Sequence, residues 1–411
     1  MQLAHAAAAR YGVARASVRV VYAPYRICPL GAHIDHQGGP VTAMAVARGV
    51  LLAYAPSRGT EVELASLDFP GEVRFALDAV GEARPGDWGN YARGAARALA
   101  QAGYALKRGF LGMVAGPWSE GGLSSSAAVG VAYLLALEDV NGLSLRPEAN
   151  IWLDQAIENG YLGLNNGILD PAAILLSRRG QLTVIDCATA GHELVRPPPA
   201  MPSWRIMLAF SGLKRALVGT DYNRRVAECV AAARLLLRAA GRGSQKPLLG
   251  QVAAAEHAAH RDKLPAALAR RAAHFFAEVE RVHQGVDTWN RGALREFGRL
   301  MTASGQSSIQ NYECGSEPLI ELYRILAGCE GVYGARFSGA GFRGCCVAFV
   351  AAAAAEQVKE EVQRAYARCQ PSFAAQAPVA VCSPDDGARW LDLGLGGSAS
   401  SPHGLPADRA E

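Results

Sequence analysis

The stretch GPWSEGGLSSSAAVGVAYLLALEDVNG, residues 116–142, constrains this chain more than any other. From Ala127 to Leu137 it is apolar on nearly every helical face, so the helix it forms must lie inside a core rather than on one. The apolar run FLGMVAG at 110–116 reads as a strand feeding into it, and between the two sits a glycine-containing loop with three serines. A loop opening onto a helix N-terminus directs unpaired N–H groups and the positive end of the helix dipole at one point, which favours a phosphate. Gly121 and Gly122 allow close approach to the backbone, and Ser124, Ser125 and Ser126 add hydroxyls for phosphate or magnesium. With Leu123 these form the candidate nucleotide-binding loop. The same serines would also serve as caps of a buried helix, so the residues alone leave both readings open. GxxxxGK[ST] does not occur, which excludes a P-loop NTPase.

The 411 residues suffice for two domains. VRPPPAMP at 195–202 marks the boundary, giving domains at 1–200 and 201–392 and a Gly/Ser/Pro-rich tail at 393–411 that is expected to be disordered. Strands are expected at 17–23 and 41–55 and helices at 87–103 and 147–162. Beyond the boundary come helices at 221–240, 250–260, 265–283 and 292–304, then a glycine-rich turn and strand at 335–350. The class is α+β. The net charge of +4 is spread without a basic run, which argues against a nucleic-acid partner. Nine cysteines without CxxC pairs fit neither a disulfide framework nor a structural zinc site. No signal-like segment or membrane-length apolar run is visible, so a cytoplasmic, membrane-free protein is expected, a monomer or weak homo-oligomer.

Two further stretches carry chemistry. In ENGYLGLNNGILDP, 158–171, Glu158 stands near a helix end and Asp170 precedes a proline. Such acids hold magnesium or orient a hydroxyl nucleophile, although Asp170 would equally well cap the following helix. In LGAHIDHQGGP, 30–40, His33, Asp35 and His36 crowd a tight turn without a nearby third anchor for a metal, and a polar loop between strands suits a polyol better.

Together these segments resemble the GHMP small-molecule kinases, and among them the galactokinase-like sugar 1-kinases. APYRICPLGAHIDHQGG is similar to the signature in which Ala-Pro-Gly-Arg leads to Gly-Glu-His-x-Asp-Tyr. GPWSEGGLSSSAA resembles the family's phosphate-binding motif and ARFSGAGFRGCCVAF its glycine-rich third motif, in the family's order over residues 17–370. The resemblance implies a two-domain fold: an N-terminal α+β domain with a left-handed-crossover ATP-binding motif, and a ferredoxin-like C-terminal domain. ATP and Mg2+ are the implied cofactors and a small sugar the implied partner. Arg26 and Asp170 match the catalytic pair, and Ser126 with Glu158 the magnesium ligands. His33, Asp35 and Tyr222 match sugar-binding positions, and Gly339 and Gly341 glycines that close the site.

Two departures bear on the substrate. Tyr25 replaces the glycine before the arginine, and Ala32 replaces the glutamate that in the family accepts a hydrogen bond from the sugar 6-hydroxyl. A 6-carboxylate about 4 Å from that glutamate would meet roughly 4 kcal/mol of repulsion at an effective dielectric of 20, about a thousandfold in affinity. Ala32 removes the repulsion, so a sugar acid, D-galacturonate, is the expected substrate. The alternatives are galactose or L-arabinose, or a sugar- and ATP-sensing protein without turnover. Arg343, in place of the second glycine of the family's Phe-Gly-Gly, is a candidate carboxylate partner.

Overall fold

The computed structural model describes residues 1–117, 122–213 and 221–393. Gly121 and the tail from 394 onward lie outside them. The first body comprises α1 (Gln2–Tyr11), β1 (Arg19–Ile27), β2 (Pro40–Pro56), β3 (Glu61–Ser66), β4 (Glu72–Ala76), α2 (Asn90–Gln101), β5 (Phe110–Ala115), α3 (Ser125–Val140), α4 (Pro147–Ala156), α5 (Leu169–Leu176), β6 (Leu182–Asp186) and β7 (Gly191–Val195). β2 is its spine, pairing antiparallel with β1, β5 and β6. β3 runs parallel to β5, and the connection between them passes through β4 and α2 before β5 delivers the chain to the serine loop. As its composition requires, α3 is buried, packed against β1, β2, α2 and α5.

The second body contains β8 (Trp204–Phe210), α6 (Tyr222–Ala239), α7 (Ala254–His260), α8 (Ala266–Asn290), α9 (Leu294–Gln310), α10 (Glu317–Gly328), β9 (Val332–Phe337), β10 (Cys345–Ala351), α11 (Ala355–Cys369) and β11 (Val379–Cys382). Its sheet runs β11-β8-β10-β9, antiparallel throughout, with helices after its first and third strands. That is the ferredoxin-like arrangement. β10 is the central, doubly covered strand, which explains why CCVAFV is apolar without alternation and why Cys345 and Cys346 are both fully buried.

After β11 the chain returns to the first sheet, where β12 (Pro384–Asp385) pairs with β2 and β13 (Arg389–Trp390) with β1. The 147–162 helix divides into α4 and a π-helical turn, Ile157–Tyr161. His257 stacks on Phe276 with ring centroids 4.1 Å apart, a packing role. No described helix is long and apolar enough to cross a membrane.

Candidate active site

A cavity of about 710 Å³ opens between the two bodies, lined from the first by residues of β1, the 30–40 loop, the serine loop and the 162–170 turn. The second body contributes Tyr222, Arg336, Gly339 and Arg343. Sequence-distant residues meet here because three loops converge on it.

The pairing of β1 with β2 shifts register between Pro24 and Tyr25, immediately before Arg26. A bulge of this kind turns the following side chain out of the regular pleat. Arg26 is buried, and its Nε donates to Asp170 Oδ1 at 2.6 Å, with Nη2 2.6 Å from the same oxygen in an ion pair. Ser124 Oγ donates to the other oxygen, Oδ2, at 2.5 Å. Asp170 therefore does not cap α5: it sits in the first turn, with Ile168 at the cap position, and its carboxylate is spent on the arginine and the serine loop. Burial works against the Arg26 charge, but the Asp170 carboxylate outweighs it and the pKa is raised, so the guanidinium stays charged.

Ser124 itself lies at φ +60°, a left-handed conformation uncommon for a serine. His33, at φ +57°, is the corresponding strained residue of the 30–40 loop. Strain of this kind, at about 1–3 kcal/mol per residue, persists where surrounding contacts over-determine the backbone. For His33 those contacts are visible: its ring stacks on Tyr312 at 4.3 Å, and Nε2 lies 3.5 Å from Cys314 Sγ. Burial, His274 and the Arg336 charge hold its pKa well below the usual histidine value, so the ring is neutral. His36 meets Tyr312 Oη at 3.2 Å and Tyr222 edge-on at 6.3 Å.

Asp35 packs against the 167 turn so closely that a Cβ at Gly167 would lie 2.3 Å from its Oδ2. The GI dipeptide before Leu169 and Asp170 is thus a fitted surface for the 30–40 loop. Burial and the Asp170 charge raise Asp35 to about 6. Gly339 abuts the serine loop in the same way, where a Cβ would stand 2.8 Å from the carbonyl of Gly122. At Gly341 it would meet Cys314 Sγ at 2.7 Å.

Glu158 occupies the π-helical turn, a local irregularity often found at functional sites. Asn166 Nδ2 donates to its Oε2, while Oε1 is buried without a hydrogen-bond partner. Burial and the Asp170 charge push Glu158 up to about 7. One turn earlier lies a carboxyl that carried no signal in the sequence: Asp154 is 1% exposed and neither of its oxygens has a hydrogen-bond partner. A Cβ at Gly130 of α3 would stand 2.2 Å from its Oδ1.

The alanine loop is held from behind. Glu278 of α8 accepts from the backbone N–H groups of Gly31 and Ala32 at 2.9 and 3.1 Å, and His274 meets the Ala32 carbonyl at 2.8 Å. None of Glu278, His274 or Tyr312 was expected, because each lies in a segment whose periodicity reads only as helix or loop.

Comparison with known proteins accords with this geometry. Residues 8–56 match the galactokinase galactose-binding signature, 90–178 the N-terminal domain of GHMP kinases and 286–368 their C-terminal domain. The chain is 52% identical over 400 residues to a galacturonokinase of Arabidopsis thaliana, covering 92% of this chain and 94% of that protein. The chain belongs to the GHMP kinases, in their galactokinase-like branch. A galactokinase of Roseiflexus sp. is 31% identical over 374 residues, 90% of this chain and 92% of that one. The crystal structure of Lactococcus lactis galactokinase complexed with galactose superposes with a TM-score of 0.87 at 29% identity, over 95% of this kinase and 99% of that chain. Mevalonate kinase shares the fold alone, at a TM-score of 0.60 and 15% identity.

Proposed function

We propose that this kinase transfers the γ-phosphoryl group of ATP to the anomeric hydroxyl of D-galacturonate, giving galacturonate 1-phosphate and ADP. The observation that carries the reading is the placement of Ala32 on the same cavity as the Arg26–Asp170 pair. An apolar residue thus stands in the sugar loop where a glutamate would repel a sugar acid. The 52% identical relative bearing the name galacturonokinase supports the same substrate more strongly than the galactokinases at about 30% do.

Phosphoryl transfer asks a protein for positioning and charge stabilisation rather than covalent chemistry. Asp170, fixed by Arg26 and Ser124, orients the anomeric hydroxyl and accepts its proton as the new O–P bond forms. Arg26, planar and permanently charged, faces the equatorial oxygens of the moving group. The serine loop supplies N–H and hydroxyl donors to the nucleotide phosphates.

Magnesium fits the residues present. Glu158 Oε1 is a buried oxygen without a partner, and Ser126 lines the cavity beside Ser124 and Ser125. Mg2+ is usually held by one or two protein oxygens together with waters and phosphates. Bound there, it would neutralise charge on the phosphate oxygens. ADP release measured with D-galacturonate, D-glucuronate, D-galactose and L-arabinose tests the reading. Preferential turnover of galacturonate is expected, and equal or greater turnover of a neutral sugar would overturn it.

A further inference from the structure

If the substrate carries a carboxylate, something on the protein must meet that charge. The Arg336 side chain of β9 lines the cavity together with Cys28, Ala32 and His33, and is 2% exposed. Its Nε donates to the Phe337 carbonyl at 3.0 Å, but Nη1 is buried with no hydrogen-bond partner. Among the described residues it forms no ion pair, and a buried, unmatched guanidinium is costly unless a ligand completes it.

The groups around it offer one anion, Glu278, which is already engaged elsewhere. Its charge is felt at Cys28, His33, His274, Glu278 and Cys314. The histidines are held neutral by burial, and the buried thiols are raised out of the range in which they ionise. Glu278, the one carboxylate of the set, is already saturated. Oε2 accepts from two backbone N–H groups and Ser304 Oγ, and Oε1 accepts from Arg281 Nε at 2.7 Å. Another cation on the cavity, Arg343, is half-buried, and its backbone carbonyl would lie 3.5 Å from a Cβ at Gly122 of the serine loop. It therefore stands on the serine-loop side of the cavity.

We propose that Arg336 holds the 6-carboxylate of the sugar acid in the space beside Ala32, and that this pairing selects a uronic acid over a neutral hexose. The inference rests on the sugar-acid reading of the site given above. The substrate then supplies the negative charge that a glutamate at position 32 would have supplied. Arg336 is already desolvated and anchored through Nε, so little ordering is required on binding.

The test compares wild type, Arg336→Met, Arg336→Lys and Arg343→Met, with KM for galacturonate and for ATP and kcat/KM for galacturonate, galactose and L-arabinose. Removing one partner of a buried charge pair predicts that Arg336→Met lowers kcat/KM for galacturonate on the order of 100-fold, chiefly through KM. The ATP KM should change less than about threefold, and Arg336→Lys should fall between. Galacturonate KM unchanged in Arg336→Met, or the galacturonate-specific loss appearing in Arg343→Met instead, would overturn the assignment. Should Arg336→Met fail to fold in thermal unfolding, Arg336→Lys decides: an increase in galacturonate KM without one in ATP KM supports the pairing, and a parallel rise in both rejects it. Wild type without preference for galacturonate would sink the sugar-acid reading and this inference with it. A preference that survives both Arg336 variants sinks this inference alone.

Discussion

The two ends of the cavity differ in how their charges are matched. At the serine loop the protein completes its own network: Asp170 gives one oxygen to Arg26 and the other to Ser124, and the strained Ser124 backbone holds that arrangement without a ligand. At the sugar loop the backbone is clamped just as firmly, by Glu278 and His274, yet Arg336 projects a guanidinium nitrogen with nothing to bind. On the proposed reading, the phosphoryl-transfer chemistry is preorganised within the protein, whereas choice of substrate is left as a gap in charge that a sugar acid would fill. The sharpest way to break this contrast is at its closed end. Asp170→Asn keeps the shape but removes the charge and the proton acceptor, and should lower kcat about 10³-fold with little change in sugar KM. Single-turnover ADP formation that stays within tenfold of wild type would show that the network is structural rather than catalytic.

The open end is sharpened by filling it. Ala32→Glu places a carboxylate where we expect the substrate's own to lie, on the cavity that Arg336 also lines. Galacturonate kcat/KM should fall about 10²- to 10³-fold from like-charge repulsion, while galactose turnover rises. A variant that still prefers galacturonate would remove Ala32 as a determinant of specificity.

How far the sequence could be read follows the same division. The strand, serine loop and buried helix were legible because they are contiguous and α3 has no polar face to place outward. Arg26 and Asp170 are 144 residues apart, and only the resemblance of whole motifs could pair them. Arg336 stood in the quoted ARFSGAGF motif but looked like any strand residue. Its meaning depends on β9 docking across the cleft from Ala32, which no local pattern encodes. Asp154 was invisible for a related reason: a lone aspartate in a helix normally faces water, and only the packing of α4 on Gly130 reveals that this one is buried. The hairpin β3–β4, helix α10 and the returning strands β12 and β13 were also absent from expectation. The last two are two-residue strands whose partners lie more than 300 residues earlier.

A pH profile separates the ends further. Asp35 is raised to about 6 in the free protein by burial and by Asp170, so it takes up a proton below that pH and loses the negative charge that would strengthen a hydrogen bond from a sugar hydroxyl. On the acid side kcat/KM for galacturonate should therefore fall below about pH 6, approaching tenfold per unit. Asp35→Asn should be weaker at neutral pH and flatter in this limb. An acid limb unchanged in Asp35→Asn would assign the titration elsewhere, Glu158 at about 7 being the nearest alternative.

The smallest expected effect concerns Asp154, which neither end uses directly. Its carboxyl is raised well above the usual aspartate value, by burial first and then by the charges of Glu158 and Asp170. The folded state therefore keeps a proton that the unfolded chain releases near pH 4. With the folded pKa raised, the sign is fixed: the contribution to stability is fully present below about pH 4 and is lost as pH rises through the folded pKa. Asp154→Asn preserves the volume and removes the titration. Its Tm should match wild type near pH 4 within a degree and exceed it by about 2 °C or more at pH 8, a shift corresponding to roughly 1 kcal/mol in a chain of this size. A Tm gap of the same size and sign at both pH values would mean that the residue acts through packing alone. A variant less stable than wild type at pH 8 would mean that the carboxylate is charged and paired in the folded protein, and that the closed end of the cavity extends one helical turn further than its hydrogen bonds indicate.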